Sequence, residues 1–204
     1  TSLQVLLSSH EKQSMQLDEI RNDFSKVMQE QMQMMWASKL GLSTSNEELF
    51  KELEILMIQT SVDYTMFFRE LSEIPEDINP LKNSFYKDLS KDLSKDEELQ
   101  KRWSQWFIKW KSLINVTNIS STKSKEELSK EMKLLNPKYT LREWFLVPAY
   151  KKAKEGDYSL IKELQEVMTK PYEEQSKEVE EKYYRLKPSE FFAVAGISHV
   201  SCSS

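Results

Sequence analysis

The sequence predicts an all-α protein, and three observations carry that prediction. Glycine and proline are scarce, with three and six in 204 residues, too few for a turn-dense β architecture. Leu, Glu, Lys and Met, which lose little freedom on entering a helix, are abundant. Apolar residues recur at spacings of three and four in one segment after another. With 39% hydrophobic and 11% aromatic residues the chain can build a substantial core. Its 29 basic and 33 acidic residues are interleaved, for a net charge of -4, so no basic face is available to a phosphate backbone and no nucleic acid partner is expected. No apolar run approaches the roughly 20 residues that span a bilayer, so no membrane partner is expected.

The first predicted helix runs from about Met15 to Lys39, with Leu17, Ile20, Phe24, Val27, Met28, Met35 and Trp36 on one side and Gly41 as its C-terminal stop. A second helix opens on a Ser45/Glu48 capping box and carries Leu49, Leu53, Leu56 and Met57 on one stripe. Asp63 can cap a third, which carries Phe67, Phe68, Leu71 and Ile74 up to Pro75, and 75–80 reads as a turn. The tandem "KDLSKDLSKD" at 87–96 has too little apolar content to bury a face and reads as a solvated insertion. Beyond it Trp103, Trp106, Phe107, Trp110 and Ile114 recur at helical spacing; an aromatic stripe can stack a ligand, but buried packing is the reading preferred for all three tryptophans.

The Asn/Ser/Thr-rich stretch "NVTNISSTK" is the best linker candidate, at 115–123, and its two glycosylation triplets, at Asn115 and Asn118, are set aside because the chain shows no secretory feature. Four helical pieces follow. One opens on a Ser124/Glu127 capping box, one on Thr140/Glu143 with Pro148 expected to kink it, one on Asp157 with Pro171 closing it, and the last is the charged "EEQSKEVEEKYYRL". From Pro188 the tail "SEFFAVAGISHVSCSS" is apolar, nearly uncharged and without helical period. Asp63 and Arg142, set in otherwise apolar stretches, are expected to be buried or capping groups, with Arg142 needing a carboxylate or carbonyl partner.

A search for chemistry finds no glycine-rich phosphate loop, no G-x-S-x-G elbow, no H-E-x-x-H and no cysteine pair. Cys202 is the one cysteine, two residues from the last. His199 stands three positions before it, a metal-ligand spacing that lacks a second pair of ligands, so no metal site is expected. Cys202 is therefore the redox candidate, with His199 as a neighbour able to assist it or as a bystander. No catalytic or cofactor-binding residue is expected in this chain.

The motifs taken in order carry a resemblance. "MMWASKLGL", "LMIQTSVDYTMFFREL", "RWSQWFIKW", "NPKYTLREWF", "AKEGDYSLIKELQEVMTKPYEEQ" and the terminal "SCSS" together resemble the C-terminal part of the selenoprotein O family, from about Met35 to Ser204. The resemblance implies an atypical protein-kinase-like fold in the full-length protein that transfers AMP from ATP to protein hydroxyls. It implies that ATP and Mg2+ are bound by residues outside this chain, and that 1–114 and 124–187 are helical segments packing on the kinase-like C-lobe, with protein substrates and that intramolecular domain as partners. It also implies that Cys202 pairs with an upstream cysteine and restricts activity under oxidation. Two departures stand out: "EWFLVPAYKKA" with Pro148 replaces the family's Asn- and Gln-containing stretch, and His199 occupies the place of the first thiol of the Cys-x-x-selenocysteine pair found in several animal members. The resemblance implies a mitochondrial location in a eukaryote and a cytoplasmic one in a bacterium. A non-enzymatic helical interaction module, or an inactive divergent paralog, remains the alternative.

Overall fold

A computed structural model describes residues 11–86, 96–121 and 123–192. Among them the chain forms eight α-helices and two short 3-10 turns, with a single antiparallel bridge between Val62 and Phe85 in place of any strand. Residues 87–95 of the expected 87–96 insertion, most of the tail, His199 and Cys202 lie outside the described residues.

Helix α1, Glu11–Lys39, closes at Gly41, where φ is +70° and a Cβ would stand 2.6 Å from Met132 Sδ. Leu42 N donates to Ala37 O at 2.8 Å and Gly41 N to Ser38 O at 3.0 Å, a paired terminal bond set that favours glycine at this place. Helix α2, Glu47–Thr60, is capped by Asn46, whose side chain accepts from Leu49 N, so the helix starts one residue past the predicted Ser45 box. Helix α3, Tyr64–Leu71, is capped by Asp63. It stops before Ile74 because the residue preceding Pro75 is excluded from the helical region, and Ile74 sits at φ +49°, a strained place for a β-branched side chain.

Helix α4, Glu97–Ser121, buries Trp103, Trp106, Phe107, Trp110 and Ile114 along one side. It runs straight through most of 115–123, the stretch expected to be a linker. Helix growth is cooperative, and Asn and Ser differ from good helix formers by only a few tenths of a kcal/mol each, so a helix anchored upstream by three tryptophans continues through them. Helix α5, Lys125–Leu135, has the full capping box of Ser124 and Glu127. It buries Leu128 and Met132 in the same cluster as α4, so the apolar core does not divide at the expected linker.

Helix α6, Glu143–Lys154, begins after Arg142 instead of on a Thr140 cap, and Thr140 Oγ1 is buried without a partner. Pro148 is accommodated inside it. Helix α7, Ser159–Met168, follows Gly156 at φ +87°; Asp157 accepts from Ser159 N at 2.9 Å just ahead of its first turn. Helix α8, Lys177–Tyr183, is capped by Ser176. Apolar side chains gather in two clusters. The first spans Ala37 to Met132 and centres on Leu56, Phe67 and Trp110; the second spans Tyr139 to Tyr183 around Trp144, Ala149 and Val167.

Candidate functional site

Two polar nodes stand out, the first fully buried and the second a buried Arg69 with exposed carboxylate partners. At the first, Asp63 Oδ1 accepts from Met66 N at 3.0 Å, closing the cap of α3, and from Arg142 Nη2 at 2.9 Å. Its Oδ2 accepts from Arg142 Nη1 and from the Tyr86 hydroxyl, the latter at 3.1 Å. One carboxylate therefore serves four donors, and the side chains of both ions are almost wholly out of water, at 0% and 3% exposure. Burial, then the neighbouring Asp63 charge, pushes the Tyr86 phenol up to about 12, which keeps it a donor at neutral pH. Tyr86 also accepts from Lys187 N at 3.3 Å, tying the chain after α8 to the start of α3.

The second node is built on Arg69, near the end of α3. Its Nη1 donates to the carbonyls of Lys133, Asn136 and Tyr172, each at 3.2 Å, and its Nη2 to Glu174 at 2.6 Å. Carbonyls at a helix C-terminus have no partner within the helix and attract cations, so a guanidinium across the end of α5 satisfies both needs. Lys138 reaches the same Glu174 and Glu180. Burial would raise the Glu174 carboxyl, but the bonds from Lys138 and Arg69 outweigh it and hold its pKa below the ordinary value. Nearby, Tyr184 donates to Glu70 at 2.8 Å, where burial outweighs that bond and raises the Glu70 carboxyl. Asn136 completes the junction: its side chain accepts from Lys39 Nζ at 2.6 Å and donates to Lys39 O and Ser72 Oγ.

The tryptophans of α4 tie helices together. Trp106 Nε1 donates to Leu49 O and Trp110 Nε1 to Leu40 O, both at 2.9 Å, and the two indoles stack with planes 4° apart. Trp103 is equally buried, with its Nε1 unpartnered. Sequence reasoning missed Arg69, Tyr86, Asn136 and Glu174. Arg69 carried a signal, a charged residue within "MFFREL", whereas the others carried none because their partners lie far along the chain.

An apolar cavity of about 540 Å³ opens between α1, α2 and the start of α3, walled by Trp36, Phe50, Met57, Ile58, Tyr64 and Phe68. The aromatic walls touch one another, Trp36 with Phe50 at 4.3 Å and Tyr64 with Phe68 at 4.7 Å between ring centres. Among the described residues no group of three or more His, Cys, Asp or Glu side chains is arranged to hold a metal ion, and no helix is long and apolar enough to cross a membrane. Arg69, Arg142 and Lys138 are each engaged with carboxylates, Glu174, Asp63 and Glu174 again.

Comparison with known proteins identifies the family of this helical chain. The family described as protein adenylyltransferase SelO matches residues 1–169. A relative from Flavobacterium johnsoniae, called protein nucleotidyltransferase YdiU, is 34% identical over 179 residues, covering 83% of this chain and 32% of the relative. Relatives of the same name from Vibrio parahaemolyticus and Tolumonas auensis are 33% and 32% identical, covering 84% and 89% of this chain but 34% of each relative. The chain thus spans about a third of the length of these relatives. Asp63, Arg142, Arg69 and the tryptophans all fall inside the matched stretch, and the chain belongs to the protein adenylyltransferase SelO family.

Proposed function

We propose that this chain is the helical C-terminal region of a SelO-type protein adenylyltransferase and acts there as a brace for the kinase-like C-lobe. The observation that carries the reading is the family match over residues 1–169. In the complete protein, ATP and Mg2+ are bound by residues outside this chain, and a Ser, Thr or Tyr hydroxyl of a protein substrate receives AMP as pyrophosphate leaves. The buried Asp63–Arg142 pair supports a positioning role, since a solvent-poor junction of this kind holds elements in one geometry, and the buried Arg69, bonded to three carbonyls and to the exposed Glu174, adds a second tie.

Cys202 belongs to the same proposal as a redox-regulatory thiol, with His199 as a base that takes its proton. Oxidation by a disulfide or peroxide oxidant joins it to a cysteine elsewhere in the complete protein, with loss of two electrons and two protons. The proposed location is mitochondrial in a eukaryote and cytoplasmic in a bacterium.

Incubation with α-labelled ATP and Mg2+ tests the reading. Label is expected on protein acceptors with the complete protein and not with the 204-residue chain alone. Label transferred by the chain alone overturns it, as does a complete protein that transfers none. A second reading, a helical interaction module without catalysis, is favoured by the apolar side chains that α1 presents to solvent.

A further inference from the structure

The cavity between α1, α2 and the start of α3 is walled by four aromatic side chains, Trp36, Phe50, Tyr64 and Phe68. They meet at Trp36, whose ring centre lies 4.3 Å from that of Phe50, 5.7 Å from Tyr64 and 5.8 Å from Phe68. The planes of Trp36 and Tyr64 stand at 81°, so this pair forms a corner and not a stack. An aromatic face is electron-rich and attracts a cation within about 6 Å of the ring centre. Two of these rings already hold a cation: Lys39 Nζ lies 4.9 Å from the centre of Phe68 and 5.5 Å from that of Tyr64. Asn136 Oδ1 anchors that amine at 2.6 Å, and Lys39 stands outside the walls of the cavity.

The charge that lines the cavity itself is negative. It belongs to Glu54, exposed on α2, while Lys51 one turn earlier is paired with Glu47 at 2.6 Å. Burial, then the Glu54 charge, pushes the Tyr64 phenol up, so this carboxylate is felt at the aromatic wall. Leu53, Ile58 and Val62 complete much of the lining, and their side chains accept no hydrogen bonds. A primary ammonium would bring three N–H donors to walls that cannot satisfy them, whereas a quaternary ammonium brings none. The volume of about 540 Å³ falls within the range of small-molecule sites, roughly 300–1,000 Å³, and holds an apolar body beside the charged head.

We propose that this cavity binds a small quaternary ammonium compound with an apolar body. The methylated nitrogen sits in the corner of Trp36 and Tyr64, where both rings and the Glu54 carboxylate favour its charge, and the body lies against Leu53, Ile58 and Val62. Protonated Lys39, held at Asn136, opposes the charge of the ligand and lowers its affinity. Nothing in this assignment depends on AMP transfer.

The test is the binding of benzyltrimethylammonium to the protein expressed from its complete reading frame, followed without ATP by the broadening of the ligand's N-methyl NMR signal. Neopentylbenzene has the same shape without the charge and is expected to bind about tenfold more weakly. Tyr64→Leu, which keeps an apolar wall and removes the ring, should weaken the cation about fivefold and leave the neutral compound nearly unchanged. Glu54→Gln, an exposed change, should weaken the cation about threefold, and Lys39→Met should tighten it, again with no effect on the neutral compound. A neutral compound that binds as well as the cation overturns the proposal, as does a cation whose affinity ignores both Glu54→Gln and Lys39→Met. Binding of neither compound by the complete protein overturns it as well.

Discussion

Asp63→Ala removes three things at once: the cap of α3, the partner of Arg142 and the acceptor for the Tyr86 hydroxyl. A lost cap alone costs about 0.5–2 kcal/mol. Leaving one member of a buried ion pair without its partner costs about 3–5 kcal/mol, and the Arg142 side chain, 3% exposed, has no water to turn to. Because one carboxylate makes all these contacts the terms overlap, and the expected loss is about 3–5 kcal/mol, a large share of a typical domain stability of about 5–15 kcal/mol. Urea denaturation followed by tryptophan fluorescence and circular dichroism measures it. Asp63→Asn, which keeps an acceptor for Met66 N, covers the case in which the alanine variant fails to fold. In the Arg142→Met background the same Asp63→Ala change should cost at most the cap and the Tyr86 bond, about 1–3 kcal/mol, because it also removes a buried charge already left without its cation. Since the pair links the start of α3 to the residue preceding α6, fluorescence and dichroism transitions should also separate in Asp63→Ala. If Asp63→Ala costs no more with Arg142 present than with Arg142→Met, the coupling argued from the geometry does not exist.

Trp106→Ala removes a buried indole and its bond to Leu49 O, and should cost roughly 3–5 kcal/mol by denaturation; a variant of wild-type stability would contradict the packing role. Gly41→Ala puts a Cβ 2.6 Å from Met132 Sδ and 2.9 Å from Ile114 Cδ1 at φ +70°, so a loss above about 1 kcal/mol is expected, and a change under half of that would show that the loop rearranges freely. Burial holds Lys39 down to about 8, so an NMR titration of its Nζ should give a midpoint near that value. The unfolded chain, with lysine near about 10.4, binds more protons across that window. Stability should therefore rise as pH increases from about 8 toward about 10.4 and be lost as pH falls through 8, an increment that Lys39→Met abolishes.

What was legible in the sequence is what acts over a few residues. The capping box at Ser124 and Glu127 and the glycine stop at Gly41 are chemistry between positions three to five apart, and the structure has both. The two polar nodes are another matter. Arg142 meets Asp63 across 79 residues and Arg69 meets Glu174 across 105, and no local pattern encodes either partner. A sequence can say that a guanidinium in an apolar stretch needs an acceptor, without saying which one. The Thr140 box failed for a related reason: Arg142, drawn into the core by Asp63, takes the position before α6, and tertiary contact overrides the local cap.

Helix α1 carries the same lesson to the function. Its three- and four-residue periodicity announces an apolar face, and periodicity of this kind is blind to whether the covering partner lies in the same 204 residues. Had the partner lain within the described residues, Ile20, Phe24 and Met28 would be as buried as Leu49, Leu53 and Leu56 on α2, which carry the same kind of pattern. Two helices with equivalent stripes thus end in opposite environments, and the difference lies in what surrounds them. Leu49, Leu53 and Leu56 face α4 and its tryptophans; the α1 row faces solvent until it reaches Trp36. A face that an amphipathic sequence maintains and the described residues do not cover shows that periodicity encodes the need for a partner without encoding where that partner lies.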